Sequence, residues 1–81
     1  MPNKKPKLNK QPKPNMANII ELRAIAQKAK EMSDRVFEIL KNDEFLSKFD
    51  EDNGLEFSNG GSDLRDAYED IDGCLDRIDE E

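Results

Sequence analysis

The 81-residue chain carries a formal net charge of −6, is 40% charged and 35% hydrophobic, and contains one Cys but neither His nor Trp. Without His it lacks the side chain best suited to proton transfer near neutral pH and every Ser-His or Cys-His nucleophile pair. A single Cys excludes an internal disulfide and a thiolate zinc cluster and is typical of a reducing compartment. We therefore expect a cytoplasmic protein with no catalytic residues, no cofactor and no metal site.

The charge divides the chain into three blocks. Residues 1–15 carry +5 and all four Pro, residues 16–42 carry +1, and residues 43–81 carry −12. The first block has almost nothing apolar to bury, and its prolines oppose regular structure. The pattern predicts a disordered Lys/Pro-rich arm over 1–15 and a small α-helical domain over 16–81. Since no apolar stretch approaches the roughly 18 to 20 residues that span a bilayer, we expect no membrane partner.

The first predicted element is a long amphipathic helix that starts near Ala17, is capped by Asn15 or Asn18, and ends near Lys41. Its apolar residues recur at alternating three- and four-residue steps, as in the seam of a helical bundle. Ile19, Ala26 and Leu40 widen the seam to one side, which favours packing against more than one neighbour. The seam, which we predict to mediate oligomerisation, consists of Leu22, Ile25, Ala29, Met32, Val36 and Ile39.

A short helix and a loop are predicted next. Asp43 is suited to cap a helix over 44–49. The segment 50–63 is rich in turn residues, notably Asn53-Gly54 and Asn59-Gly60-Gly61. Placing Gly54 at the sixth position of a calcium loop puts Phe49 at the first, where a carboxylate is needed, so the EF-hand pattern fails.

The last predicted element is an acidic helix that starts at Ser62 or Asp63 and folds back along part of the first helix. Gly73 lies inside it, and the sequence leaves open whether that glycine marks a close approach of two backbones or is merely tolerated. Cys74 falls on the apolar side, where a small buried side chain is usual. The apolar positions step by three and four: Leu64, Tyr68, Ile71, Leu75 and Ile78.

Acidic residues are unusually dense on this helix. Acids near a helix C-terminus oppose the helix dipole, so stability does not account for them. A rigid array of carboxylates can occupy a groove built for phosphates or attract a basic protein, although a solvated acidic face also aids solubility. Nucleic acid itself should be repelled by this block. The predicted partner-binding residues are Asp63, Asp66, Glu69, Asp70, Asp72, Asp76, Asp79 and Glu80, and four of them, Asp66, Glu69, Asp76 and Glu80, are predicted to form one stripe.

Together these patterns predict an all-α helical hairpin that assembles into an oligomeric bundle, with a homodimer as the expected assembly. The leading functional hypothesis is a noncatalytic protein that binds and modulates a basic or nucleic-acid-binding protein through its acidic helix. A narrower form of that hypothesis is a viral or mobile-element inhibitor that imitates DNA. The alternatives are a structural protein whose apolar seam binds a partner helix, and an oligomer that sequesters a small anionic ligand such as a nucleotide.

Overall fold

The computed structural model describes residues 14–80, with the side chains of residues 14–78. Helices make up 91% of the described residues, and no strand occurs among them. They are α1 (Met16–Asn42), α2 (Glu44–Asp52) and α3 (Glu56–Glu80). The all-α prediction is therefore confirmed. The predicted arm lies almost entirely outside the described residues.

Helix α1 begins and ends close to its predicted limits. The Asn15 side chain accepts a hydrogen bond of 2.8 Å from the Ala17 backbone N–H, which confirms one of the two predicted caps. At the other end Asp43 leaves the helical conformation and caps α2, accepting a bond of 3.1 Å from the Leu46 N–H. Both caps supply acceptors to N–H groups that have no partner inside their own helix.

The connection between α2 and α3 is a tight turn of Asn53, Gly54 and Leu55. Gly54 has φ +81°, and Leu55 has φ +59°, a left-handed conformation that is rare for a bulky side chain. The Leu55 N–H donates to the Asp50 carbonyl oxygen at 2.8 Å, which closes the turn. The chain therefore reverses within three residues.

Helix α3 begins at Glu56, so the predicted start at Ser62 or Asp63 and the predicted turn at Asn59-Gly60-Gly61 are wrong. Two tertiary contacts explain the difference. The buried Asp50 carboxylate caps α3, and the Ser33 hydroxyl donates to the Gly61 carbonyl oxygen at 2.7 Å. A Cβ on Gly61 would lie 2.9 Å from the Phe37 ring, so this glycine permits a close approach of the helices.

Helices α1 and α3 pack antiparallel over most of their lengths, which corrects the prediction that the last helix would cover only part of the first. Most of the residues buried between the two helices are small: Ala26, Ser33 and Gly61. Within residues 14–78, Leu75 is the one large apolar side chain that is almost fully buried. Such a core buries little apolar surface for a domain of this size.

Candidate binding faces

One side of the hairpin is held by polar contacts between α1 and α3. Arg23 donates to Asp72 at 2.7 Å and to Asp76 at 3.1 Å, and the first of these pairs is only about one-third exposed. Further along, Arg65 lies 2.6 Å from Asp34. These bonds fix how far one helix is shifted along the other, because each joins a particular residue of α1 to a particular residue of α3.

The same side carries one cation–π contact. The Lys30 ammonium lies 5.7 Å from the centre of the Tyr68 ring, between the two groups of ion pairs. The Lys30 side chain therefore reaches Tyr68 across the helix–helix contact. Because the helices are antiparallel, each step toward the C-terminus of α1 corresponds to a step toward the N-terminus of α3.

The opposite side of the hairpin is apolar. On both helices its residues precede the polar ones by one position, as Leu22 precedes Arg23 and Ile71 precedes Asp72, so they lie on the other side of the helix–helix contact. Several of its large side chains are 40–50% exposed. We call this surface the apolar face; it comprises Leu22, Ile25, Ala29, Met32, Val36 and Ile39 on α1, and Leu64, Ala67, Ile71, Cys74 and Ile78 on α3.

The predicted oligomer seam therefore lies on this side and is only partly covered: Val36 packs against Gly61 of α3, whereas Ile25 and Met32 are about half exposed. Helix α3 instead packs along the neighbouring line that contains Ala26 and Ser33, the residues of α1 that are fully buried. Cys74 is exposed, so the prediction of a buried thiol is wrong; its Sγ accepts a hydrogen bond from Arg77 at 3.1 Å. A Cβ on Gly73 would meet nothing within 4 Å, so that glycine is tolerated and marks no close approach.

The apolar face continues into a groove where α1, α2 and α3 meet. Its volume is about 190 Å³, and it is lined by Val36, Ile39, Leu40, Leu46 and Phe57. Next to it the rings of Phe45, Phe49 and Phe57 form a row, with centroid separations of 6.4 and 6.2 Å. Phe45 is 73% exposed, so apolar surface also extends over α2.

The acidic residues predicted to bind a partner fall into two groups. Asp72 and Asp76 are engaged by Arg23 and help to hold the hairpin together. Asp63, Asp66, Glu69 and Asp70 are exposed and form no ion pair with the described side chains. The side chains of Asp79 and Glu80 lie outside the described part of the chain. The predicted stripe of Asp66, Glu69, Asp76 and Glu80 thus includes one carboxylate that belongs to the helix–helix contact.

Asp50 is a structural residue that lies within the segment predicted as a loop, and no sequence pattern indicated its role. It is 4% exposed, and one carboxylate oxygen accepts from the Phe57 N–H at 2.7 Å, while the other accepts from the Ser58 hydroxyl at 2.6 Å. The Ser58 N–H also donates to this second carboxylate oxygen, at 3.3 Å. The spacing from Asp50 to Ser58 is too long for a local capping motif, so only the folded turn makes it recognisable.

Within residues 14–78 no group of three or more Cys, Asp or Glu side chains could hold a metal ion. Over the same part of the chain, none of the helices combines the length and the apolar character needed to cross a bilayer. No family model matches the sequence, and neither the curated proteins nor the solved structures include a match to it.

Proposed function

We propose that this chain is a noncatalytic interaction protein that works by burying its apolar face against the helices of a binding partner. The observation that carries the proposal is the position of the seam residues. Ile25 and Met32 are 48% and 50% exposed although they lie in the middle of α1. Covering such side chains stabilises a complex by about 25 cal/mol for each Å² of apolar surface removed from water.

The composition of the apolar face supports the same function. Its eleven residues include no charged side chain, and they run along two helices rather than one. A layer of two helices with one apolar side is half of a four-helix bundle, and bundles bury such a face between layers. Because the core between α1 and α3 is small, leaving this face in water costs the hairpin stability that burial against a partner supplies.

A second candidate function uses the exposed carboxylates of α3. Asp63, Asp66, Glu69 and Asp70 are all exposed within about two turns of α3 and form what we call the acidic ridge, and a fixed array of negative charge attracts basic surfaces. This is the arrangement required of a protein that occupies a nucleic-acid-binding groove, including an inhibitor that imitates DNA. The target would then be a basic or nucleic-acid-binding protein.

The proposal that the apolar face binds a partner is tested by affinity capture of proteins from a lysate, with the wild-type chain and three variants as baits. Met32→Lys and Ile71→Lys each place a charge in the apolar face and are expected to abolish capture. Ile20→Lys is the matched control, because Ile20 is 66% exposed on α1 but lies outside the face. Capture that survives both face variants would contradict the proposal.

The acidic candidate predicts a different result in the same assay. Asp66→Asn combined with Glu69→Gln should remove a basic partner, and raising the salt concentration should remove it from the wild type as well. Partners that are insensitive to both changes would exclude the acidic ridge as the binding surface.

A further inference from the structure

The end of the hairpin where α2 joins α3 carries an exposed apolar surface of its own, which includes the row of Phe45, Phe49 and Phe57. Phe57 also lines the groove of about 190 Å³ between the three helices, so the row and the groove form one continuous surface. We call this surface the junction site. Its remaining groove residues are Val36, Ile39, Leu40 and Leu46.

The chain itself covers the rings of the junction site poorly. Phe45 is 73% exposed, and Phe49 and Phe57 are 47% and 46% exposed. Among the large apolar side chains that the structure describes, Phe45 is the most exposed. Aromatic side chains are enriched where proteins bind one another, because each removes a large apolar area from water on contact. An aromatic row left this open indicates a surface that a partner covers.

The charged residues around the rings are mostly acidic. Two hollows adjoin the row, and their charged lining residues are Glu44, Lys48, Asp50, Asp52 and Glu56. The Lys48 ammonium is paired with Asp52 at 3.4 Å, and the Asp50 carboxylate caps α3. Glu44 and Glu56 are exposed, and neither forms an ion pair with a described side chain. Lys or Arg residues at the edges of a bound segment would therefore complement the site.

The secondary structure around the junction site favours a helix as the bound segment. An extended segment needs a sheet edge to bond its backbone, and the described part of the chain contains no strand. A helix bonds its own N–H and C=O groups, so it can bury apolar side chains in the groove without leaving backbone groups unpaired. The ring centroids are 6.4 and 6.2 Å apart, close to the rise of about 6 Å between residues i and i+4 of a helix.

We propose that the junction site binds the apolar side of an amphipathic helix from another protein, with Lys or Arg residues along the edges of that side. This inference rests on the proposed function and specifies the chemistry of the partner. Apolar side chains of the bound helix enter the groove and contact the rings, while its basic residues meet Glu44 and Glu56. The rings supply most of the affinity, and the carboxylates select basic partners over acidic ones.

Fluorescence anisotropy of a labelled model peptide, titrated with the full-length protein, tests the proposal. The peptide has about 14 residues, or about four helical turns, with leucines on one side and lysines on the other. It should bind the wild type. Two control peptides should bind at least about tenfold more weakly: one with the same composition but leucines on all sides, and one with glutamate in place of lysine.

Replacement of one ring locates the peptide on the protein. Phe45→Ser should weaken binding of the Leu/Lys peptide at least about tenfold, as expected of an aromatic anchor, whereas Phe45→Leu should keep most of the affinity. Ile20→Ser is the matched control, because Ile20 is 66% exposed near the other end of the hairpin, and it should leave binding unchanged. Circular dichroism should show equal helicity in all three variants, since both replaced side chains are mostly exposed.

Neutralising the carboxylates tests the preference for a basic partner. Glu44→Gln combined with Glu56→Gln should weaken binding about threefold or more, with a larger effect at low salt than at high salt. Glu21→Gln combined with Glu31→Gln removes the same charge from exposed positions of α1 and should have a much smaller effect. Equal losses in the two double variants would mean that the acidic chain as a whole attracts the peptide, and would overturn the proposal.

Three other results would overturn the proposal. The first is binding that Phe45→Ser leaves unchanged. The second is a larger loss in Met32→Ser than in Phe45→Ser, which would place the peptide on the apolar face. The third is a wild-type protein that sediments as a dimer and becomes monomeric on Phe45→Ser, which would make a second copy the occupant.

The proposed function fails separately from this inference. Capture of a lysate partner that is lost on Met32→Lys, in a protein that does not bind the Leu/Lys peptide, keeps the apolar face as a binding surface and removes only the basic helix from the junction site. Peptide binding that depends on Phe45, in a protein whose lysate capture survives Met32→Lys and Ile71→Lys, supports the junction site and contradicts the proposal for the apolar face.

Discussion

Replacing Asp50 with Ala should destabilise the hairpin more than any other single change to a charged residue of α2. The carboxylate accepts three hydrogen bonds at the start of α3, at 2.6 to 3.3 Å, and is almost fully buried. Loss of a helix cap costs about 0.5–2 kcal/mol, and a buried donor left without a partner costs about 1–3 kcal/mol. Since these terms overlap, we expect a loss of about 2–3 kcal/mol, a large share of the stability of so small a domain.

Urea unfolding followed by circular dichroism measures this effect, with every variant at the same chain concentration because association would add to the apparent stability. Asp50→Asn keeps one acceptor oxygen and should lose about half as much free energy. Asp52→Ala is the matched control: its exposed pair with Lys48, at 3.4 Å, is worth about 0.3–0.5 kcal/mol. A loss for Asp50→Ala no larger than that of Asp52→Ala would refute the role assigned to the carboxylate.

Three further substitutions have expected outcomes that the same unfolding assay checks. Gly73→Ala should raise the free energy of unfolding by up to about 1 kcal/mol, because a Cβ there meets nothing within 4 Å; a destabilised variant would contradict open space at that position. Leu55→Gly should be neutral or stabilising by up to about 1 kcal/mol, because φ +59° suits glycine; a clear loss would mean that the leucine side chain contributes packing. Ser33→Ala should lower the stability by about 1–2 kcal/mol, since the bond to the Gly61 carbonyl is buried, and an unchanged midpoint would show that this bond contributes nothing.

Much of the apolar face could be read from the sequence because helix periodicity alone determines which residues share a side. The steps from Leu22 to Ile39 place those residues on one surface in any α-helix. Which surface meets α3 depends on side-chain size as well. The helices pack along the side of α1 that carries the small residues Ala26 and Ser33, and Ser33 contacts Gly61 there. This packing leaves the larger seam residues on the more exposed side.

The roles of the acidic residues of α3, in contrast, could not be predicted from the sequence. Its carboxylates are evident from composition, but their separation into structural and free ones required the positions of α1 residues. Asp72 and Asp76 are engaged because Arg23 is level with them across the hairpin. Asp63 and Asp70 lie on the outer margin of the same helix and are free of such contacts within the described chain.

By itself the sequence determined the helical class, the extent of α1, the caps at Asn15 and Asp43, and which residues share the apolar side of each helix. These follow from local preferences and from the period of the helix, which are the same in any tertiary setting. Only the tertiary structure decided that α3 continues through Asn59-Gly60-Gly61, since turn residues remain helical when a distant carboxylate caps the helix and a neighbouring serine holds its backbone. It also decided the register of α1 against α3, because that register depends on which side chains meet across the hairpin.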